Sequence, residues 1–161
     1  PDRPRDPYPR DPYPRDPFPR DTYPDRRDRP DGRQTSGTDD DGDVYGIWDG
    51  HLFYFFLMGQ QDEILQIRGR YAGTVPLSEQ TAVLPFLDEF NRDRIWPKVY
   101  SRPDDSETGI YSEVSTDLEH GVADDQLDQL LKCGIFTGIQ FFDHLSEAHP
   151  EWAPQTEDAS A

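Results

Sequence analysis

From Asp43 to Tyr71 the chain reads as three short apolar runs broken by turn residues. Asp49-Gly50 separates the first two runs. An Asp-Gly pair in that setting suits a type I′ turn, because both central residues need positive φ. The pattern predicts strand one over Asp43–Trp48 and strand two over His51–Met58. Gly59–Gln61 turns the chain into strand three, Asp62–Tyr71. Together they make an antiparallel meander, and period-two alternation assigns the faces. Phe53, Phe55 and Leu57 share one face of strand two, and Leu52, Tyr54, Phe56 and Met58 share the other. On strand three, Leu65 and Ile67 oppose Gln66, Arg68 and Arg70. Strand two is apolar on both sides, so it is expected to be central and covered twice.

After Ser78, a fair N-cap, the period lengthens to that of a helix. Val83, Leu84, Leu87 and Phe90 fall on one face, with Pro85 expected to kink or restart the helix and Asn91-Arg92 to end it. Lys98–Arg102 and Ile110–Leu118 read as strands four and five. Asp124 or Asp125 is expected to cap a last helix reaching Ala148, with Leu127, Leu130, Leu131, Ile135, Ile139, Phe142 and Leu145 on its apolar face. Gly134 and Gly138, one turn apart, are expected to let that helix press on the sheet. The expected fold is α+β, a five-stranded antiparallel sheet with helices in the order β-β-β-α-β-β-α.

Composition divides the chain. Residues 1–33 hold nine Arg, eight Asp and ten of the sixteen Pro. Arg5–Pro9 is RDPYP, Arg10–Pro14 repeats it, and RDPFP and RDTYP follow. Proline fixes φ and removes amide donors, so residues 1–42 are expected to be a disordered, polyproline-like tail. Two readings stand for it: a solvated spacer, or a scaffold whose P-x-x-P pairs (Pro4/Pro7, Pro9/Pro12, Pro14/Pro17) dock into aromatic grooves. Residues 43–151 are expected to form the folded domain and 152–161 a flexible end. Beyond residue 33 only seven Lys and Arg face 25 Asp and Glu, within a whole-chain charge of −17. Such a body repels phosphate backbones, which argues against nucleic acid as a partner. The longest apolar run, Leu52–Met58, is far short of the roughly 20 residues that span a bilayer. No charged-then-apolar leader is visible, and the single Cys133 permits no internal disulfide. The expectation is a cytoplasmic protein.

Candidate chemistry is sparse. Asp39–Asp43, DDDGD, lacks the glycine position and distal glutamate of an EF-hand loop, and a polar lead-in to the first strand is the plainer reading. None of His51, His120, His144 and His149 forms an H-x3-H pair. No cofactor or metal is expected. An enzyme would have to be assembled from His120, Asp117, Glu119 and His51. The cations are the sharper clue. Arg68 and Arg70 share a face of strand three, and Lys98 and Arg102 flank Tyr100 on strand four. With Tyr54, Phe56 and Met58 they make a candidate protein-binding face, unless Glu113 and Asp117 neutralise it.

Three blocks carry a resemblance: Gly46–Gly69, Glu89–Arg102 with its Asn91 and Trp96-Pro97-Lys98, and Ser115–Leu145 with Glu119-His120-Gly121. Together they resemble the actinobacterial branch of the YbjN family over about Asp43–Glu151. Members are similar in fold to class I type III secretion chaperones. The resemblance implies a non-enzymatic, chaperone-like binding or regulatory domain with no catalytic residues to carry over. Members usually begin with a helix where this chain has its proline-rich tail, which implies an under-covered sheet. The expected outcome is a homodimer, or a complex with a protein partner, formed through the Tyr54 face.

Overall fold

A computed structural model describes residues 36–40 and 42–155. The RDPYP repeats and the last residues of the expected C-terminal tail lie outside them. The described chain is α+β. Its strands are β1 Ser36–Thr38, β2 Val44–Trp48, β3 His51–Met58, β4 Ile64–Arg70, β5 Val75–Pro76, β6 Lys98–Pro103 and β7 Glu107–Asp117. Its helices are α1 Gln80–Asp93 and α2 Asp124–Ala148. The antiparallel sheet therefore has seven strands, not five. β1 adds a short edge beside β2, and β5 pairs with the start of β7.

Neighbours run β1-β2-β3-β4-β7, with β6 on the far side of β7. Asp49 and Gly50 take φ of 51° and 79°, and Trp48 pairs with His51, the two-residue turn that Asp-Gly predicts. Register then follows from alternation. Phe53 pairs with Gly69, Phe55 with Ile67 and Leu57 with Leu65, all on one face.

Both helices lie against that face. Phe53, Leu65 and Ile67 join Val83 and Leu87 of α1 and Ile135, Phe141, Phe142 and Leu145 of α2 in one core. The two glycines of α2 act as expected. A Cβ at Gly134 would meet Ile67 at 2.7 Å, and one at Gly138 would meet Ser112 Oγ at 2.7 Å and Phe53 at 2.8 Å. Side-chain-free positions let the helix backbone approach the strands.

Helix boundaries correct the sequence reading in three places. Ser78 lies in a 3-10 turn, Leu77–Glu79, and does not cap α1, whose N-cap is Glu79. Pro85 neither breaks nor restarts α1, which runs continuously through it. The N-cap of α2 is Ala123; Asp124 and Asp125 occupy its first turn, where carboxylates complement the helix dipole. Past α2, Trp152 is 4% exposed and stacks on His149 at 3.9 Å. The packed domain therefore extends through the start of the segment expected to be a flexible end.

The helix layer is uneven. α1 packs on β6, and α2 on β4 and β7. Phe142 of α2 covers His51 and Phe53 of β3, and towards the other end of β2 and β3 the Trp48 ring adds cover. The Trp48 ring folds back across Gly46, where a Cβ would meet it at 2.3 Å. It meets Phe53 and Phe55 edge-on at 5.9 and 5.7 Å. Beyond it Val44 is 50% exposed and Leu57 63%.

Candidate functional site

The face away from the helices carries the residues singled out by their charge pattern. Register explains why they meet. Glu113 pairs with Arg68 on one side and with Lys98 on the other, so β7 sets a carboxylate between two cations. Lys98 Nζ donates to Glu113 Oε1 at 2.5 Å, and the Tyr100 hydroxyl donates to Oε2 at 3.0 Å. Arg68 Nε lies 3.7 Å from the same carboxylate, and the guanidinium donates to Gln66 Oε1. Arg68 also sits 5.0 Å over the Phe56 ring, a cation–π contact. Arg70 pairs with Glu107 at 2.7 Å. Burial pushes the Tyr100 phenol well up; Arg68 opposes this and Glu113 adds to it.

This arrangement corrects the expectation of an open apolar surface. Tyr54 is 2% exposed, Phe56 5%, and Arg68 3%. The Phe56 ring stacks parallel to Tyr54 at 5.3 Å. Arg68 and Lys98 do gather, but around Glu113, and Arg70 pairs with Glu107, so these three are neutralised. Met58, Arg70 and Tyr100 are half-buried, and Lys98 and Arg102 are exposed at its rim.

The enzyme constellation is not assembled. His51 is buried, stacked on Tyr71 at 5.6 Å and 4.6 Å from Phe142. Its Nδ1 accepts the Ala72 amide at 3.0 Å. It stands at the end of β3 that aligns with Arg70 and Tyr111. Asp117 aligns with Ile64 and Met58 at the opposite end, about 20 Å away at ~3.3 Å per residue. Asp117 accepts the Glu119 amide at 2.9 Å and so braces the turn holding the exposed Glu119 and His120. Among the described residues no group of three or more His, Cys, Asp or Glu is placed to hold a metal ion.

Sequence reasoning missed a second feature. Asn91 donates to the Val99 carbonyl at 2.8 Å and accepts the Val99 amide at 2.9 Å. Its side-chain amide thus takes the place of a further strand against β6 and blunts that edge. Pro97 is fully buried, following a cis peptide bond. Between these two anchors the chain holds Ile95 and Trp96 outward, 85% and 55% exposed. Beside them a cleft of about 180 Å³ lies between α1 and α2, lined by Phe86, Glu89, Phe90, Asp93, Arg94 and His144. The signal was the Asn91 and Trp96-Pro97 pattern itself: two of its residues have structural work and the third does not.

The described residues form an antiparallel sheet with two helices on one face, an α+β domain. Residues 30–147 match the family model YbjN, "Putative bacterial sensory transduction regulator", and the chain belongs to that family. It is also similar to a solved structure, YbjN from E. coli, which is described as a putative transcription regulator. The two share 16% identity and a TM-score of 0.55, over 67% of this chain and 78% of that one. No curated protein matches the chain. Among the described residues no helix is long and apolar enough to cross a membrane.

Proposed function

We propose that this domain is a non-enzymatic regulatory module that grips another protein, chaperone-like in working by contact rather than chemistry. The Ile95–Trp96 loop is the observation that carries the reading. Exposed apolar area is unfavourable at about 25 cal/mol per Å². A tryptophan and an isoleucine held outward by Asn91 and Pro97 contribute nothing to the core. Tryptophan is also the side chain most enriched at binding hot spots. The loop is fixed at both ends, so little conformational entropy is lost when a partner orders it. The adjoining cleft, with its Phe86 and Phe90 walls, offers a recess for a partner's side chain.

The test replaces residue 96 with a photo-crosslinking amino acid and captures what it meets in cells of the native host. Trp96→Ala, and separately Ile95→Asp, should abolish capture by a crosslinker placed at Arg94. Both variants should leave stability within about 0.5 kcal/mol. Capture that is unchanged by either substitution would overturn the reading. So would a large loss of stability in Trp96→Ala, which would make the side chain structural.

A further inference from the structure

We infer that the partner held at the Ile95–Trp96 loop presents an acidic, partly apolar segment; this rests on the proposed function and names the chemistry of its partner. Beyond residue 33 the chain sets seven Lys and Arg against 25 Asp and Glu, and four of the seven fall within residues 92–102. They are Arg92, Arg94, Lys98 and Arg102, and Asp93 is the single carboxylate in that stretch. All four cations are exposed, and they bracket the exposed Ile95 and Trp96. The other three are engaged elsewhere. Arg68 and Arg70 are tied to Glu113 and Glu107, and Lys132 to Asp128 on α2. A strongly acidic chain thus gathers its accessible positive charge around an exposed apolar pair.

Two of the four cations are open to a partner. Arg92 pairs with Asp93 at 3.2 Å and with Asp88 at 3.9 Å, and Lys98 with Glu113 at 2.5 Å. Arg94 and Arg102 are in no ion pair among the described residues. Arg94 directly precedes Ile95, and Arg102 stands on β6 no more than about 20 Å from Trp96. An extended segment of about six residues spans that distance. The β6 edge gives such a segment little backbone pairing, because Asn91 takes up the Val99 amide and carbonyl and Pro103 has no amide. Recognition therefore falls to side chains. Carboxylates of the partner meet Arg94 and Arg102, and an apolar side chain meets Trp96 and the Phe86 and Phe90 walls of the cleft. Glu89 and Asp93 line the cleft on α1 and repel a carboxylate, so the apolar side chain enters the recess and the charges stay outside. A basic segment would meet repulsion at both arginines.

The test pans a phage library of random peptides, about 12 residues long, on the immobilised full chain. Recovered sequences should carry an excess of Asp and Glu together with a large apolar residue. The best of them, labelled, should lose about tenfold in affinity on Arg94→Glu with Arg102→Glu, and similarly on Trp96→Ala, in fluorescence anisotropy. Both arginines are exposed, so the double variant should melt with the unaltered chain. Raised salt should weaken binding to the unaltered chain and change the double variant much less. Arg94→Gln with Arg102→Gln should give a smaller loss, and Lys132→Glu none. Neutral or basic sequences, no enrichment at all, or indifference to the two arginines would overturn the inference. Displacement of the peptide by a thymidine oligonucleotide would also overturn it, because the site would then take any polyanion. Binding that needs Trp96 but not the arginines would overturn this inference and leave the proposed function standing; binding that ignores Trp96 as well would count against both.

Discussion

Two halves of one sheet carry similar apolar patterns and meet different fates. Under α2, strands β4 and β7 bring Ile67 and Ser112 into contact distance of a helix backbone that presents glycines. At the far end of β2 and β3, equally apolar residues lie beyond Phe142 of α2, and Val44 and Leu57 reach solvent. The difference shows that alternation sets which face a side chain joins, whereas burial depends on what the rest of the chain can place above it. The residues under the helices form the core, and Val44 and Leu57 at the far end lie outside it.

The largest effect should come from the covered half. Phe141 is fully buried between Phe90 of α1, at 4.8 Å, and Phe142. Phe141→Ala should lower unfolding free energy by about 4 kcal/mol in a denaturant titration, through lost transfer energy and the cavity left. A loss under about 1 kcal/mol would mean that the helices are not held by this core.

Glu113→Ala should follow, with a loss of about 3 kcal/mol, because it leaves buried Arg68 without its counter-charge. Adding Arg68→Met to that variant should restore part of the loss. If the double variant is no better than the single one, the carboxylate is not acting through Arg68.

At the far end of β3, Leu57→Ser should change stability by less than about 0.5 kcal/mol despite its place on a central strand. A drop comparable to that of Phe141→Ala would show this end to be covered after all.

The smallest effect is a pH dependence. Asp143 is held above the usual carboxylate range by burial first, then by Asp49 and Glu147. Its contribution favours the fold when the group is neutral and is lost as pH rises through the folded-state value. Asp143→Asn should therefore melt slightly higher than the unaltered chain at pH 7. Well below the ordinary Asp value of about 3.9 the two should converge, since the wild-type group is then protonated in both states. A variant that melts lower at pH 7 would mean that a favourable partner of the Asp143 carboxylate outweighs its burial and the repulsion of Asp49 and Glu147.

Short-range chemistry in the sequence was enough for the β2–β3 hairpin, the faces of its strands and the last helix. Asp49-Gly50 dictates a turn by its backbone preferences, and Phe53, Phe55 and Leu57 declare a face by spacing alone. Gly134 and Gly138 were legible for the same reason: a missing side chain on an apolar helix face leaves few uses other than close approach. The cation cluster was half legible. Spacing put Arg68 and Arg70 on one face and Lys98 and Arg102 on another, but only the insertion of β7 between β4 and β6 set Glu113 among them. Strand order is a long-range choice that no local pattern encodes, so the choice between a docking patch and neutralisation by Glu113 rested on the pairing of β7 with both strands. The same holds for Ile95 and Trp96. As letters they resemble core residues. What turns them outward is the grip of Asn91 on Val99 and the burial of Pro97, contacts that exist only once α1 has folded against the edge of the sheet.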